Sequence, residues 1–310
     1  MQVTVTGGAG FIGANLCRVL AKRPEVERIV VIDDLSSGSR GNLDGVDVDL
    51  QIGSFLERDL IERAVAGSDA VVHLGARPSV PRSLADPVAA HEVNATGTLR
   101  VLEAARAHGN PLVVVASSSS VYGGNPALPK HEDLCPMPLS PYAASKLAAE
   151  SYALAFQESF GVPVLPLRFF NVFGPLQRPG HAYAAAVPAF IWAALHDAPL
   201  RVYGDGRQSR DFTFVDSVTT VIAEAISRGV TSARPVNLAF GTRTDLLGLV
   251  AALEEVLDRS LAIEHAAPRA GDVRHSQADG HALRSLFPEI KPVDLHEGLR
   301  RTVDWMASLR

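Results

Sequence analysis

The chain lacks the cysteine content and the long apolar runs that mark two large classes of protein. Its two cysteines, Cys17 and Cys135, form neither a disulfide framework nor a CxxC pair. No apolar run is long enough to cross a membrane, and a strand pattern that begins at the second residue leaves no room for a signal peptide. We therefore expect a cytoplasmic protein without a membrane partner.

A strong charge of either sign is missing as well. The formal net charge is -5, and charged residues make up 20% of the chain without forming long runs of one sign. Nucleic-acid-binding proteins carry a basic patch that this sequence does not show. We expect no nucleic acid as a partner and no metal site, and the composition favours small-molecule chemistry.

Lysine is scarce: of 29 basic residues, only Lys22, Lys130, Lys146 and Lys291 are lysine. A motif that contains lysine is therefore less expected by chance here than in an average sequence. The 310 residues and the 47% hydrophobic content are ordinary for a globular protein with a full core.

The chain does contain a regular alternation of short β-branched runs and helical patterns. The strand-like runs are Val3–Val5, Ile29–Ile32, Val48–Ile52, Ala70–Leu74, Leu112–Ala116 and Val164–Leu167, and the helical patterns cover 11–22, 56–66, 88–107 and 141–160. Such alternation is typical of βαβ units. It predicts an α/β fold with a doubly wound parallel (Rossmann) sheet that is covered by helices on both faces.

The pattern changes after Gly174, where loops and short strands such as Leu200–Tyr203 predict a smaller, mixed α/β lobe. The segment Pro235–Ala239 has the pattern of a strand that could rejoin the main sheet. We therefore predict two interleaved domains. The main-sheet domain comprises 1–170 plus about 210–242, and the smaller lobe comprises 171–209 plus 243–310.

The sequence opens MQVTVTGGAGFIGANL, in which Gly7, Gly8, Gly10 and Gly13 lie at a strand-to-helix turn. Three of these glycines give GxGxxG spacing when counted from Gly8 and GxxGxxG spacing when counted from Gly7. With either spacing, the missing side chains let a pyrophosphate approach the backbone at the N-terminus of a helix. The turn predicts a dinucleotide site, with a tight βα turn that binds nothing as the alternative.

An acidic residue follows at the distance that a dinucleotide site requires. Asp33 ends the second predicted strand, 20 residues after Gly13. A carboxylate there accepts hydrogen bonds from the adenosine ribose and repels a 2′-phosphate, so the predicted cofactor is NAD rather than NADP. The neighbouring Asp34 is either a second ligand or a cap of the next turn.

A second group of reactive residues lies in ASSSSVYGG at 116–124 and SPYAASKLAAE at 140–150. Tyr142 and Lys146 stand four residues apart in a helical pattern and therefore share one face. A nearby ammonium lowers the pKa of a phenol toward the neutral range that a general base needs. Chance alone would give roughly 0.06 Tyr-x-x-x-Lys pairs in a chain of this composition.

The motifs TGGAGFIG, Ser118 with Tyr142 and Lys146, RFFNVFGP and GDGRQSRDFTFVD resemble those of the extended short-chain dehydrogenase/reductase family. The resemblance is strongest to its NAD-dependent nucleotide-sugar epimerases of the UDP-glucose 4-epimerase type, and it runs nearly end to end. It implies a homodimer that binds NAD in the main-sheet domain and a UDP-sugar in the smaller lobe. The implied catalytic residues are Ser118, Tyr142 as base and acid, and Lys146 as the partner that lowers the tyrosine pKa.

In that family the serine stands four residues before the tyrosine of the VYG phrase, which selects Ser118. The hydroxyls of Ser117, Ser119 and Ser120 are then expected to bond backbone groups.

The resemblance also implies two sets of binding residues. The cofactor set is Gly7, Gly10, Phe11, Ile12, Gly13, Asp33, Asp34, Ser37, Gly38, Ser54, Phe55, Leu74, Ala76, Asn94, Ala116, Tyr142 and Lys146. The substrate set is Ser79, Ser118, Tyr142, Asn171, Ala185, Ala186, Tyr203, Arg210, Arg269, Asp272 and Ser276. In the substrate set, the two arginines are expected to clamp the phosphates, because a planar guanidinium pairs two oxygens at once.

Two positions in the cofactor half need separate comment. Ser54 stands where relatives usually carry an aspartate for the adenine amino group, so a hydroxyl would have to replace that contact. His73 is expected to be a packed strand residue rather than a proton carrier.

The implied reaction inverts C4 of the sugar through a 4-keto intermediate. Related 4,6-dehydratases and decarboxylases normally carry an acid directly after the catalytic serine or threonine, whereas this chain has Ser119 and Ser120. That difference favours epimerisation. A non-catalytic NAD-binding regulator is the alternative of another class, but such proteins usually lose the tyrosine or the lysine.

The sequence leaves the sugar open. Ser276 stands where some relatives place a bulky residue against the sugar, so UDP-GlcNAc/UDP-GalNAc is expected beside UDP-glucose/UDP-galactose. UDP-glucuronate/UDP-galacturonate is a third option, because Arg82 or surplus serine hydroxyls could receive a carboxylate.

Overall fold

The computed structural model describes residues 1–179, 185–268 and 274–309. The strands are β1 (Gln2–Thr6), β2 (Arg28–Asp33), β3 (Asp49–Ile52), β4 (Ala70–His73), β5 (Leu112–Ser118), β6 (Val164–Phe169), β7 (Val172–Phe173), β8 (Leu200–Tyr203), β9 (Ser209–Arg210), β10 (Thr213–Phe214), β11 (Val236–Leu238), β12 (Thr244–Asp245) and β13 (Ile263–Ala266). The α-helices are α1 (Phe11–Leu20), α2 (Arg58–Val65), α3 (Val80–Ala85), α4 (Pro87–His91), α5 (Gly97–Ala107), α6 (Pro141–Phe160), α7 (Ala186–Leu195), α8 (Val215–Arg228), α9 (Leu246–Leu257), α10 (His281–Leu286) and α11 (Leu295–Ala307). Short 3₁₀ turns cover Arg40–Leu43 and Ser119–Tyr122, and one π-helical turn, Glu92–Thr96, joins α4 to α5.

The main sheet has seven parallel strands in the order β11-β6-β5-β4-β1-β2-β3. This arrangement confirms the predicted α/β class and the doubly wound sheet. The strand order reverses between β1 and β4, which pair directly. In such sheets ligands bind in the crevice beyond the carboxyl ends of the strands at this reversal.

Alternate side chains of the strands enter two separate cores, one on each face of the sheet. Val3 and Val5 of β1 pack with α1 and α8 on one face. On the other face, Val30 and Ile32 of β2 pack with α2, α5 and α6. Because helices cover both faces, side chains that point either way from a central strand are buried, as Val3, Thr4 and Val5 of β1 are.

The smaller lobe has its own core, in which α7, α9 and α11 surround Phe173 and Phe214. Strand β11 follows the first part of this lobe in sequence but pairs with β6. The segment 235–239 therefore rejoins the main sheet, as the sequence pattern suggested. The exact division into two domains stays a prediction.

The described part of the chain contains no helix that combines the length and the apolar character needed to cross a membrane. Over the same residues, no group of three or more histidine, cysteine or carboxylate side chains is arranged to hold a metal ion.

Candidate functional site

A cavity of about 1070 Å³ lies at the carboxyl ends of the strands in the main sheet. The predicted site residues that line it are Gly7, Gly10, Phe11, Ile12, Gly13, Asp33, Asp34, Ser37, Phe55, Leu74, Ala76, Ala116, Ser118, Tyr142, Lys146, Asn171, Arg210 and Ser276. The fold therefore brings the glycine turn, the serine-tyrosine-lysine group and part of the substrate set to one crevice.

Of the predicted residues that the structure describes, seven do not line this cavity. Tyr203, Ala185 and Ala186 line a second cavity of about 260 Å³, which shares Asn171 and Arg210 with the first. The other four are Gly38, Ser54, Ser79 and Asn94, whose contacts are described below. The predicted phosphate and ribose ligands Arg269 and Asp272 lie outside the described residues.

Three of the four glycines in the turn line the cavity, and Gly8 does not. A Cβ atom on Gly13 would lie 2.3 Å from the Gly7 carbonyl oxygen, and one on Gly7 would lie 2.7 Å from the Gly75 nitrogen. Gly7 also has a φ of +70°, a backbone conformation that glycine adopts readily. A Cβ on Gly8 would instead meet the Val31 side chain at 2.6 Å, so Gly8 serves the core. Close packing therefore requires glycine at Gly7 and Gly13, and the backbone of Gly7, Gly10 and Gly13 lines the cavity.

Asp33 holds the shape of the glycine turn as well as facing the cavity. Its two carboxylate oxygens accept hydrogen bonds from the Ala9 and Leu35 backbone N–H groups, at 2.9 and 2.8 Å. Burial raises the pKa of this carboxyl group, and the charge of Asp34 adds to that shift, while the two backbone bonds oppose it. Asp34 is exposed and accepts a bond from the Ser36 N–H.

Three predicted cofactor residues act on the backbone around the cavity. The Ser54 hydroxyl accepts a hydrogen bond from the Leu56 N–H and thereby caps a turn. Gly38 lies against the glycine turn, since a Cβ there would be 2.7 Å from the Ala9 carbonyl carbon. Buried Asn94, in the π-helical turn, bonds both the N–H and the carbonyl of Arg77.

Asn94 also donates to the Ser145 hydroxyl on α6 at 2.9 Å, so it fixes the loop after β4 against the helix that carries the tyrosine and the lysine. Ser79 caps α3 by accepting a hydrogen bond from the Arg82 N–H at 3.4 Å. The Ser79 hydroxyl oxygen thus accepts a backbone hydrogen bond in this structure.

His73 is a packed strand residue in the structure. Its ring nitrogens lie 2.7 Å from the Thr6 hydroxyl and 3.0 Å from the Thr98 hydroxyl, and the Phe55 ring contacts it edge-on. Burial and the nearby Lys146 charge lower its pKa to about 3, so the ring is neutral near pH 7.

Helix α6 positions the tyrosine and the lysine. Ser140 caps the helix by accepting a bond from the Ala143 N–H at 3.1 Å, and Pro141 fills its first turn. Tyr142 therefore lies in the first turn, and Lys146 lies one turn later on the same face. The buried Lys146 ammonium donates to the Ala116 carbonyl at 2.9 Å, which links α6 to the end of β5 beside Ser118.

The pKa of Tyr142 differs from the expectation. Burial raises it above its usual value, and the effect that lowers it is a hydrogen bond with Ser118 rather than the Lys146 charge. Burial also lowers the pKa of Lys146 to about 8. The sequence pattern predicted that Tyr142 and Lys146 share one face of a helix. It did not predict how burial shifts their pKa values, because burial depends on the tertiary structure.

The serine run also departs from the expectation that its spare hydroxyls bond backbone groups. The Ser117 hydroxyl donates to a Glu150 carboxylate oxygen at 2.7 Å, and the Ser120 hydroxyl donates to the Ser118 oxygen at 2.9 Å. That expectation is wrong for these two residues, because the buried carboxylate on α6 and the 3₁₀ turn after β5 provide closer partners.

Several cavity residues were not assigned a role from the sequence. Lys130 and His275 line the cavity, and the His275 ring lies 2.9 Å from the Ser209 hydroxyl. Gln177 lines it too, and its Oε1 atom is buried without a hydrogen-bond partner among the described residues. The scarcity of lysine was the one sequence signal that could have drawn attention to Lys130.

Comparison with known proteins agrees with this geometry. Residues 3–239 match the family described as the NAD dependent epimerase/dehydratase family. The chain is 35% identical to a UDP-glucose 4-epimerase of Mycolicibacterium smegmatis over 313 residues, which cover 98% of each protein.

Two solved structures share the fold over the whole chain. A UDP-N-acetylglucosamine 4-epimerase from Methanobrevibacter ruminantium superposes with a TM-score of 0.94 at 34% identity, covering 100% of this chain and 99% of that one. A UDP-glucuronic acid 4-epimerase from Bacillus cereus, solved with UDP-glucuronic acid and NAD, gives a TM-score of 0.90 at 30% identity and covers 100% of both chains. Family match, identity and fold lead to one conclusion: this chain belongs to the NAD-dependent epimerase/dehydratase family, whose cofactor is NAD.

Proposed function

We propose that the protein is a UDP-sugar 4-epimerase, which inverts C4 through a transient 4-keto sugar. The observation that carries the proposal is the meeting of Ser118, Tyr142 and Lys146 in the same cavity as the glycine turn. A general base, its cationic neighbour and a hydrogen-bond donor are the groups that reversible oxidation of a sugar hydroxyl requires.

The residues that face the cavity fit NAD. The bare backbone of Gly7, Gly10 and Gly13 would hold the pyrophosphate at the N-terminus of α1, and Asp33 would hold the adenosine ribose. Lys146 would hold the nicotinamide ribose. When bound, NAD supplies the acceptor and donor of hydride for the sugar carbon.

In this mechanism, Tyr142 takes the proton of the C4 hydroxyl and later returns it. Ser118 would donate a hydrogen bond to the same sugar oxygen in place of the bond that it makes to the phenol. The Lys146 ammonium, one turn further along α6, would stabilise the phenolate in the loaded site. The burial that raises the tyrosine pKa also keeps water from the keto sugar.

The acid content of the cavity supports epimerisation over dehydration. Among the described residues that line it, the carboxylates are Asp33 and Asp34, at the end of β2. Strand β2 lies three positions from β5 in the sheet, which puts these groups about 14 Å from the end of β5. A dehydratase or decarboxylase needs a further proton carrier at the sugar, and Ser119 and Ser120 are poor ones.

The smaller lobe would bind the rest of the nucleotide sugar. Asn171 and Arg210, which line both cavities, would contact the diphosphate, and Tyr203 would pack on the uracil base. From the family resemblance, Arg269 would be a second phosphate ligand and Asp272 would hold the uridine ribose. A cytoplasmic homodimer is part of the proposal, and sedimentation velocity would test the dimer.

NMR spectroscopy of the products formed from UDP-glucose, UDP-GlcNAc and UDP-glucuronate tests the proposal. We expect at least one of them to equilibrate with its C4 epimer without accumulation of free NADH. A 4-keto-6-deoxy product would identify a dehydratase, and a pentose product a decarboxylase. NAD binding without conversion of any sugar would favour the regulatory alternative.

A further inference from the structure

Lys130 is a buried cation that the proposed chemistry does not use. Only 4% of the Lys130 surface is exposed to solvent, although the residue lines the main cavity. Its N–H donates to the Gln277 carbonyl, and its own carbonyl accepts from the Asp279 N–H, both at 2.8 Å. The Asn237 side-chain amide donates to the same carbonyl at 2.8 Å. These bonds fix Lys130 alongside the segment that carries Ser276.

The side chain of Lys130 reaches the turn that follows the serine run. Its ammonium donates to the Asn125 carbonyl, and the Asn125 N–H in turn bonds the Tyr122 carbonyl at 2.9 Å. The Lys130 backbone therefore lies beside the Ser276 segment, while its ammonium bonds the turn that follows the Ser118–Ser120 segment. Ser118 is the proposed donor to the reacting sugar oxygen, and Lys130 lines the same cavity, so we assign Lys130 to the sugar end.

The charge of Lys130 is not neutralised by the protein. Within the described residues, none of the carboxylates lies within 4.0 Å of its ammonium. Of the three N–H donors of the Lys130 ammonium, one has an acceptor among the described residues, the Asn125 carbonyl. Burial lowers the pKa of Lys130, and no neighbouring charge offsets that shift. A buried cation in this position is costly unless an anion joins it.

The cavity as a whole suits a substrate with more than one anionic group. Its described cationic lining residues are Arg77, Arg82, Lys130, Lys146 and Arg210. The diphosphate of a nucleotide sugar accounts for Arg210 at the smaller lobe, and the cofactor accounts for Lys146. Neither accounts for Lys130, which lines the same cavity as Ser120 and Ser276 and is bonded to Gln277, the residue after Ser276.

We propose that Lys130 is a specificity-determining residue that pairs with a carboxylate on the sugar, and that the preferred substrate is a UDP-hexuronic acid. This inference rests on the proposed binding of a UDP-sugar in the cavity. A neutral hydroxyl would accept a hydrogen bond from the ammonium but would leave its charge uncompensated, whereas a carboxylate satisfies both needs. The small Ser276 side chain leaves space for the group beside Lys130.

Equilibrium binding to the NAD-loaded protein tests the inference, with UDP, UDP-glucose and UDP-glucuronate as the probes. All titrations use the Tyr142→Phe background, so that the sugars are not converted during the measurement. Lys130→Met keeps the aliphatic stem and removes the charge. We expect it to weaken UDP-glucuronate binding at least about thirtyfold while UDP and UDP-glucose change less than about threefold. Lys130→Arg should recover most of the lost affinity.

Lys22→Met, which removes an exposed lysine, is the matched control and should change none of the three affinities. Equal losses for UDP, UDP-glucose and UDP-glucuronate in Lys130→Met would assign Lys130 to the diphosphate or to the fold and overturn the inference. Unchanged UDP-glucuronate binding would overturn it as well. If the wild-type protein converts no sugar while this binding pattern holds, the epimerase proposal fails and the role of Lys130 stands.

Discussion

Glu150 on α6 and Arg168 on β6 form a bidentate ion pair in the protein interior. Two guanidinium nitrogens donate to the two carboxylate oxygens at 2.9 and 2.7 Å, and both side chains are almost completely buried. Glu150 also accepts the hydrogen bond from Ser117, and Arg168 lies over the Tyr122 ring. The pair therefore joins α6 to β6 and, through Ser117, to β5, the strand that ends at Ser118.

Removing the charge of Glu150 should be strongly destabilising, because Arg168 would remain buried without a counterion. We expect Glu150→Gln to lower the free energy of unfolding by about 3 kcal/mol in urea titrations. Glu62→Gln, which breaks an exposed i,i+4 pair with Arg58, is the matched control and should cost no more than about 0.5 kcal/mol. Equal losses of unfolding free energy in the two variants would show that the buried pair contributes no more to stability than the exposed pair.

Loss of the phenol should separate chemistry from binding. We expect Tyr142→Phe to reduce kcat about 10²- to 10⁴-fold, because the proton of the sugar hydroxyl then has no acceptor. NAD affinity, followed by fluorescence, should change little. Tyr152→Phe alters an exposed tyrosine of the same helix and should retain wild-type turnover. Full activity in Tyr142→Phe would rule this residue out as the base.

A methyl group at Gly13 should damage the cofactor site. Its Cβ would lie 2.3 Å from the Gly7 carbonyl oxygen, so the backbone of the glycine turn has to move. We expect Gly13→Ala to weaken NAD binding at least about tenfold, or ~1.4 kcal/mol, in isothermal titration calorimetry. At Gly41 the nearest atom would be 3.6 Å away, and Gly41→Ala should bind NAD normally. Equal affinities in both variants would contradict the proposed pyrophosphate site.

Asp211 should give the stability of the protein a specific pH dependence. Its buried carboxylate accepts bonds from the Gly241 and Ala278 N–H groups and from the Thr242 hydroxyl, and burial raises its pKa to about 6. Because the folded-state pKa exceeds the unfolded value, the folded protein binds more protons between pH 4 and 6. This residue therefore makes the protein less stable as pH rises through that window, by up to about 3 kcal/mol.

Urea unfolding of the wild type and Asp211→Asn at several pH values measures this effect. The difference in unfolding free energy between the two proteins should grow as pH falls from 7 to 4.5, since the variant cannot take up the proton. A difference that is independent of pH would show that Asp211 titrates normally.

The alternation of strands and helices was enough to predict the main sheet, because strands that are buried on both faces form short apolar runs that stand out between the helical patterns. The glycine turn, Asp33, Tyr142 and Lys146 could also be found from spacing, since each depends on local geometry at the end of a strand or in one helical turn. Ser118 was selected from its neighbours by the family resemblance. These positions meet at one edge because the carboxyl ends of parallel strands lie together.

Properties that depend on distant segments could not be predicted in this way. The upward shift of the Tyr142 pKa follows from burial in the folded protein. The Ser117 hydroxyl bonds Glu150, which lies 33 residues away in sequence. Lys130 is held at the cavity by a β-bridge to Ala278, and no local sequence pattern predicts this pairing. The binding roles of Arg269 and Asp272 remain predictions.

The pairing of β11 with β6 limits how the protein can be divided. Val236 and Leu238 of β11 complete the core that begins with Val3 and Val5, together with α8. A fragment that ended near residue 170 would leave an open edge on β6 and an uncovered apolar face, which invites aggregation. Residues 1–170 are thus not expected to fold alone, and a graft that replaces the smaller lobe would have to keep β11 and α8 with the main sheet.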